Sequence, residues 1–343
     1  MLRREFLRTG VAAAGAPLLP LSAAQTMKTL PSVLGPLAAD QLGMTLPHEH
    51  IAVSSVEMTA AQKDGVRCIW DLVSAPLKQN GVKSLIELTP EDSGRNVPLM
   101  KEVAVATGLN ILCATGYYLA ARRPANFLMG GAGAAEAYMT RELVEGIDDT
   151  GVRAAVIKVA VGGPPGNRSD IVLLESAART QKQTGVGISC HATSPDDRRH
   201  LAETLEKHGA DMSRVVIGHA DTNGTLEESI ALLSRVGYVL YTIWGITNPR
   251  LIGSRQPVAA DHSARLIRGL LDKGLIKQIL FSIDFAPTCP IGEGIDLHLY
   301  EIPQRTSNYA FTFVLPMLRK LGVSEAEIHQ IMVTNPRRHL FGG

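Results

Sequence analysis

The sequence predicts an α/β fold in which eight parallel strands alternate with helices and close into a (β/α)8 barrel. Eight short apolar runs recur along the chain, and each is followed by turn residues and then by a stretch of helical period. Strands that are separated by helices pair in parallel through right-handed crossovers. The 343-residue chain is long enough for one such barrel, which typically needs about 250 residues.

The predicted strands are short runs that are rich in aliphatic residues, at positions 42–48, 83–89, 110–115, 153–161, 186–191, 215–219, 238–244 and 278–284. The runs VIKVAV and ILFSID within them are almost continuously apolar, as expected for strands that are covered on both faces. The intervening stretches 173–184 and 266–273 have the apolar spacing of amphipathic helices. An open, doubly wound sheet is the alternative, but no GxGxxG motif opens the first helix to support its dinucleotide-binding version.

The charge and cysteine content exclude several classes of protein. Lys and Arg total 34 and Asp and Glu total 33, so the net charge of +1 provides no basic surface excess for nucleic acid. After the N-terminal segment, no uncharged apolar stretch reaches the length of about 18 residues that indicates a membrane span, so stable membrane insertion is not expected. The four cysteines form no CxxC pair, which argues against a disulfide scaffold, and we expect Cys113 and Cys190 to be buried thiols.

The N-terminal residues 1–24 have the layout of a bacterial export signal. Arg3 and Arg4 are followed by Phe and Leu, an apolar run and a small-residue cleavage site, an order that resembles the twin-arginine type. An ordinary basic N-terminus is the alternative. We therefore expect a signal peptide at 1–24, a barrel at 25–343, and a periplasmic or exported protein.

Polar side chains end five of the eight predicted strands. Chemistry in a (β/α)8 barrel takes place at the C-terminal ends of the strands. His48 and His50 are two residues apart, so both point to the same side of their strand. Imidazole and carboxylate groups at one rim predict a site for Zn²⁺ or a similar divalent ion. The candidate ligands are His48, His50, Lys158, His191, His219 and Asp284.

Lys158 is the unusual member of this set, because it lies inside the apolar run VIKVAV. Burial removes the hydration of an ammonium group and favours the neutral amine. A neutral amine reacts with CO₂ to give an anionic carbamate, whose two oxygens can bridge two metal ions. A Schiff-base lysine, as in barrel aldolases, is the alternative, and the four histidines argue against it.

The motifs HEHI at 48–51, IKVA at 157–160, GHAD at 218–221 and SID at 282–284 resemble the phosphotriesterase-type branch of the amidohydrolase superfamily, which includes the phosphotriesterase-like lactonases. The resemblance runs in order from about residue 35 to the end of the chain.

The resemblance implies a binuclear metal centre, usually of zinc. His48, His50 and Asp284 would hold one ion, and His191 and His219 the other. A carboxylated Lys158 and a hydroxide would bridge the two ions. Asp284 would also accept the proton of the hydroxide and pass it on, which makes it a catalytic residue as well as a ligand. Asp221 in GHAD is a candidate for orienting a metal-bound histidine.

The residues that would set specificity lie around this centre. Tyr118 matches a position where lactonase-type relatives carry Tyr and organophosphate-type relatives carry Trp, so it is the second catalytic candidate. Simple packing in the rim is the alternative for Tyr118. Ile243 and Trp244 stand where relatives often carry Asp followed by Arg or His. Trp244 and Phe285, which opens the apolar loop 285–309, are predicted to line the substrate pocket.

The sequence therefore predicts a metal-dependent hydrolase that acts on an apolar lactone or related carboxylic ester. Phosphotriester hydrolysis is the second candidate activity. A non-catalytic small-molecule binder and a Schiff-base lyase that uses Lys158 are the remaining alternatives. Because relatives are commonly homodimers, we also expect a homodimer.

Overall fold

The structure, a computed structural model, describes residues 28–164, 166–243, 260–288, 295–301 and 305–342. The predicted signal peptide at 1–24 and Trp244 lie outside these described residues. The described chain opens with an antiparallel hairpin of β1 (Thr29–Ser32) and β2 (Gly35–Ala38). Within the described part, no helix is both long and apolar enough to cross a bilayer.

Eight parallel strands follow the hairpin, and each pairs with the next one along the chain, which confirms the predicted (β/α)8 architecture. They are β3 (Met44–Glu49), β4 (Val82–Glu87), β5 (Asn110–Tyr117), β6 (Val156–Ala160), β7 (Ile188–His191), β8 (Val215–Gly218), β9 (Tyr238–Tyr241) and β10 (Ile279–Phe281). Each lies within or beside one of the eight apolar runs. The β6 strand is buried at every position, as its apolar run predicts.

Helices cover the outside of the sheet. They are α1 (Ala60–Gln79), α2 (Val97–Thr107), α3 (Phe127–Val144), α4 (Arg168–Thr184), α5 (Pro195–Lys207), α6 (Leu226–Leu233), α7 (Ala260–Asp272), α8 (Leu315–Lys320), α9 (Glu325–His329) and α10 (Asn335–Phe341). A capping box of Thr59 and Gln62 starts α1, and each side chain accepts a backbone N–H of the other residue. Gly108 ends α2 in the left-handed conformation, at φ 70°, that glycine adopts most easily.

The first and last barrel strands meet through a short seam, which brings residues 48–50 beside residues 282–285. The amide of Asp284 donates to the carbonyl of His48 at 3.1 Å, and the amide of His50 donates to the carbonyl of Phe285 at 2.9 Å. Residues that are more than 230 positions apart in the sequence therefore lie side by side at the C-terminal rim.

The hairpin was not predicted, and it packs with the C-terminal helix. Leu30 and Leu37 of the hairpin form one buried cluster with Leu340 and Phe341 of α10 and with residues of the barrel strands. Its two four-residue strands contain Pro and Gly, so they carry too little of the period-two pattern to be recognised from sequence. The free thiols of Cys113 and Cys190 are buried, as expected.

His339 on α10 provides a pH-dependent element of stability that is remote from the rim. Its ring is buried with its centroid 5.6 Å from that of Tyr238. Burial, helped by the charge of Arg214, lowers the pKa of His339 to about 3 from an ordinary value of 6.5. The folded state therefore keeps the ring neutral, whereas the unfolded chain takes up a proton below pH 6.5.

We expect the free energy of unfolding to fall between pH 6.5 and 3 because of this residue, by up to about 1.4 kcal/mol per pH unit. His339→Phe keeps a ring in the cavity and should weaken this dependence, as measured by urea unfolding at pH 7 and pH 5. His298→Phe is the matched control, because the His298 side chain is 85% exposed. An equal pH dependence in wild type and His339→Phe would show that the buried ring does not control it.

Candidate metal centre

The C-terminal ends of five barrel strands bring the six predicted ligands into one cluster. His48 lies on β3 and His50 directly follows it, Lys158 lies on β6, and His191 ends β7. His219 and Asp284 follow β8 and β10. His48, Lys158, His191 and His219 are at most 5% exposed, so the cluster lies inside the mouth of the barrel.

One half of the cluster is built around Asp284. Its Oδ1 lies 3.0 Å from Nε2 of His50 and 3.7 Å from Nε2 of His48. Lys158 Nζ approaches the same His48 nitrogen at 3.0 Å. One potential ligand atom from each of His48, His219 and Asp284 lies within 4.8 Å of the others. A single divalent ion can therefore reach donors from three different strands.

The other half of the cluster contains His191, His219 and Tyr118. Nε2 of His219 lies 2.7 Å from Nδ1 of His191. The hydroxyl of Tyr118 lies 3.3 Å from Nε2 of His191, and the two rings meet edge to face at 5.0 Å. The Tyr118 hydroxyl therefore lies beside this half of the cluster, and a catalytic role for it stays a prediction.

Burial keeps His48 and His219 in the neutral form that can bind a metal ion. Desolvation, reinforced by Lys158 and by the neighbouring imidazoles, holds the pKa values of His48 and His219 well below the usual range. Their rings are therefore neutral and offer lone pairs. His48 Nδ1 is buried and has no hydrogen-bond partner among the described residues. Neutral imidazoles grouped with a carboxylate fit a divalent cation.

Burial also lowers the pKa of Lys158, from 10.5 to about 8. A substantial fraction of its amine is then neutral near physiological pH. This is the state that carbamate formation requires.

Two threonines orient the histidines, and sequence reasoning missed both. Thr89 Oγ1 lies 2.8 Å from His50 Nδ1, and the same hydroxyl donates to the buried carboxylate of Glu87. Thr242 Oγ1 lies 2.8 Å from His219 Nδ1. Such partners fix the tautomer and the rotation of a ligating ring. Nothing in the sequence distinguishes these threonines from others beyond their position after a strand.

Asp221, which was predicted to orient a ligand histidine, makes different hydrogen bonds. Its carboxylate accepts the amide of Ile243 at 2.8 Å and the hydroxyl of Ser263 at 2.7 Å. It therefore ties the end of β9 to α7, and Thr242 is the residue beside the His219 ring.

Two of the predicted ligands have a backbone conformation that non-glycine residues rarely adopt. His219 has φ 57° and Asp284 has φ 58°. Such residues cost on the order of 1–3 kcal/mol each, so the surrounding structure must hold them. Around His219 this is done by the buried Arg198, which donates to the carbonyls of His219 at 2.8 Å and Thr222 at 3.1 Å. Glu228 pairs with the same guanidinium at 2.8 Å.

The backbone of Tyr118 is held from two sides. Its amide donates to the carboxylate of Asp92 at 2.9 Å, and Arg123 Nε donates to its carbonyl at 2.9 Å. Nearby Gly116 has φ 112°, and a Cβ at this position would lie 1.9 Å from the carbonyl oxygen of Lys158. Glycine therefore allows β5 to pass closely beside the strand that carries Lys158.

Phe285, predicted to line the substrate pocket, is fully buried in the structure. Its ring packs edge to face on Trp70 at 5.4 Å and on Tyr300 at 5.9 Å. A direct contact with substrate stays a prediction for Phe285, as it does for Trp244. His298 is exposed beside Glu301 and lies outside the centre.

A (β/α)8 barrel with histidines, a lysine and an aspartate gathered at its C-terminal rim defines the class of metal-dependent hydrolases. The sequence model of the phosphotriesterase family matches residues 28–340 of this chain. The chain therefore belongs to the phosphotriesterase family, whose enzymes are binuclear metal hydrolases.

Individual relatives agree with this assignment. A phosphotriesterase homology protein of Mycobacterium tuberculosis is 30% identical over 332 residues, which cover 91% of this chain and 97% of that protein. The solved organophosphorus hydrolase of Deinococcus radiodurans is 28% identical, with a TM-score of 0.81 and coverage of 95% of this chain and 100% of that one. An N-acetyltaurine hydrolase of Xenopus tropicalis is 21% identical over 350 residues, covering 90% and 97%.

Proposed function

We propose that this hydrolase acts on a lactone or related carboxylic ester that carries an apolar arm. The observation that carries the proposal is the Tyr118 hydroxyl, 3.3 Å from His191 Nε2 at the centre. Tyrosine at this position resembles the lactonase-type members of the family, and a phenol can donate a proton to a leaving oxygen. The apolar loop that starts at residue 285 supports an apolar substrate arm.

The residues that we propose as metal ligands divide into two sets. His48, His50 and Asp284 would hold one ion, and His191 and His219 the other. We propose zinc as the metal and a carboxylated Lys158 as the shared ligand. The pKa of Lys158 near 8 supports this, because the neutral amine can take up CO₂ and release one proton as the carbamate forms. When bound, the ions lower the pKa of a water molecule and polarise the oxygen of the substrate.

The chain's own side chains would then move the protons. Asp284 accepts a proton from the attacking water at its carboxylate and delivers it to the leaving side of the substrate. Tyr118 donates a hydrogen bond to the leaving oxygen. Arg198, Thr89 and Thr242 hold the ligands in place and need no rearrangement during the reaction.

Hydrolysis of a phosphotriester is the second candidate function. An organophosphorus hydrolase and an N-acetyltaurine hydrolase are both among the relatives, so the family label alone does not choose the bond that is cleaved. Ester and phosphotriester hydrolysis both place developing negative charge on an oxygen, and one site can serve both.

The test is metal analysis combined with a substrate panel on purified protein. We expect about two divalent ions per chain. We also expect kcat/KM for a lactone with an alkyl chain to exceed that for a neutral phosphotriester by about a hundredfold. This ratio corresponds to a difference of about 2.7 kcal/mol in activation free energy. A folded protein without metal, or a preference for the phosphotriester, would overturn the proposal.

Replacing Tyr118 by Phe should lower kcat for the lactone by about a hundredfold, because the proton donor is lost while the ring remains. Tyr241→Phe is the matched control, since its buried hydroxyl donates to Ser229 at 2.8 Å outside the centre. Steady-state kinetics of both variants provide the measurement. Unchanged lactone turnover in Tyr118→Phe would remove the observation on which the ester assignment rests.

Export and dimer formation are also proposals. The Arg3–Arg4 pair in residues 1–24 supports export through a twin-arginine pathway. That pathway moves folded proteins, which suits an enzyme that takes up its metal in the cytoplasm. We propose a homodimer because relatives are commonly homodimers.

A further inference from the structure

Glu49 stands between the two histidines of the HEH motif but has its own set of contacts. Side chains alternate along a strand, so Glu49 points away from the side that His48 and His50 share. It is fully buried. A buried carboxylate is costly unless its oxygens are hydrogen-bonded. The groups that donate hydrogen bonds to Glu49 therefore indicate its role.

Four donors satisfy the Glu49 carboxylate. Oε1 accepts the hydroxyl of Ser282 at 2.6 Å and the amide of Ile283 at 3.0 Å. Oε2 accepts the amide of Phe285 at 3.2 Å and the hydroxyl of Ser307 at 2.7 Å. Each carboxylate oxygen thus contacts one backbone amide and one serine hydroxyl, which fixes the orientation of the side chain.

The two amides that Glu49 accepts flank Asp284 in the sequence. The amide of Asp284 itself donates to the carbonyl of His48 at 3.1 Å. Three consecutive amides, at 283, 284 and 285, are thus bound by residues 48 and 49. The strained φ of 58° at Asp284 lies in the middle of this clamp. Its carboxylate is consequently aimed at Nε2 of His50, 3.0 Å away.

We propose that Glu49 is a positioning residue for the metal centre: it holds the backbone on both sides of Asp284, and so keeps that carboxylate where it can bind an ion. Ser307 anchors the clamp on its far side, because the adjacent Asn308 donates to the carbonyl of Val73 in α1 at 3.1 Å. The first strand thereby determines the placement of a ligand that comes from the last strand.

Glu49→Gln tests the clamp with almost no change of shape. A glutamine amide has one acceptor oxygen, and its NH₂ group would face the N–H of Phe285. Both groups are donors, so no hydrogen bond can form between them. One flank of Asp284 is then released. We expect one of the two ions to leave about tenfold faster, in line with the effect of removing partners that orient ligands.

The experiment uses the full-length protein loaded with Co²⁺, and follows ion release to excess EDTA by the visible Co²⁺ absorption and by metal analysis. Glu142→Gln is the matched control: Glu142 is another buried carboxylate, but it pairs with Arg95 and lies outside the centre. Thermal unfolding of each variant measures the general loss of stability.

Faster release of one ion and an altered Co²⁺ spectrum in Glu49→Gln, with neither in Glu142→Gln, would support the proposal. Release at the wild-type rate, or equal acceleration in both variants, would overturn it. Glu49→Asp keeps the charge, but its side chain is one methylene shorter, so it should also accelerate ion release. This variant replaces Glu49→Gln in the test if the glutamine variant does not fold. The assay contains no substrate, so failure of the ester assignment would not affect its outcome.

Discussion

Asp284→Asn should lower kcat by about three orders of magnitude, because the amide can neither carry the negative charge nor accept the proton at Oδ. The carboxylate oxygen lies 3.0 Å from His50 Nε2 and 3.7 Å from His48 Nε2, in the position that the proposed role requires. Asparagine tolerates the left-handed backbone that Asp284 adopts, at φ 58°, and the fold should therefore survive. Steady-state turnover and bound metal per chain are the measurements.

Asp148→Asn is the matched control for this change. Asp148 has the same left-handed backbone, with φ 45°, but it is exposed in a loop outside the centre. Its replacement should leave kcat and metal content unchanged. If Asp284→Asn kept wild-type turnover with full metal occupancy, the proton-transfer role of Asp284 would have to be abandoned.

Lys158→Ala should lower both the bound metal and kcat, the latter by about a hundredfold, because the proposed shared ligand is lost. The side chain is fully buried, and its truncation leaves a cavity beside His48. A short carboxylic acid such as propionate fits such a cavity and presents the two oxygens that a carbamate would present. We therefore expect added propionate to restore part of the metal content and turnover.

Lys158→Met separates this chemistry from packing, since methionine fills the volume but carries no amine. It should be as inactive as Lys158→Ala and should not respond to propionate. Full activity of Lys158→Ala without any added acid would exclude the carbamate. Covalent trapping of substrate on Lys158 by borohydride would instead indicate the Schiff-base chemistry of an aldolase-type lyase.

The barrel strands and most of the candidate centre are visible in the sequence because they depend on local patterns. A strand that is covered on both faces needs a continuous apolar run, and VIKVAV and ILFSID provide it. Polar residues near the C-terminal ends of such runs lie towards the rim at which barrels of this type carry out their chemistry. Knowing the strands was therefore enough to place His48, Lys158 and Asp284 at one end of the molecule.

The residues that hold the centre in place were not visible, because their partners are distant in the sequence. Glu49 accepts from Ser307, 258 positions away, and Arg198 donates to the backbone carbonyls of His219 and Thr222 in the loop after β8. For Asp221, the sequence suggested a partner that the structure does not show. Its place in GHAD suggested a partner for a histidine, whereas the folded chain gives it the amide of Ile243.

The sequence by itself determined the eightfold alternation of strand and helix and the set of metal-binding side chains, since both follow from period and residue type. Only the tertiary structure decided which side chains touch. Because β10 closes against β3, Glu49 can accept the amides on both sides of Asp284. Because β5 pairs with β6, the chain that follows β5 brings Tyr118 close to His191. The physical reason is that hydrogen bonds act over about 3 Å, and the barrel brings distant parts of the chain within that range only when the ring of strands is complete.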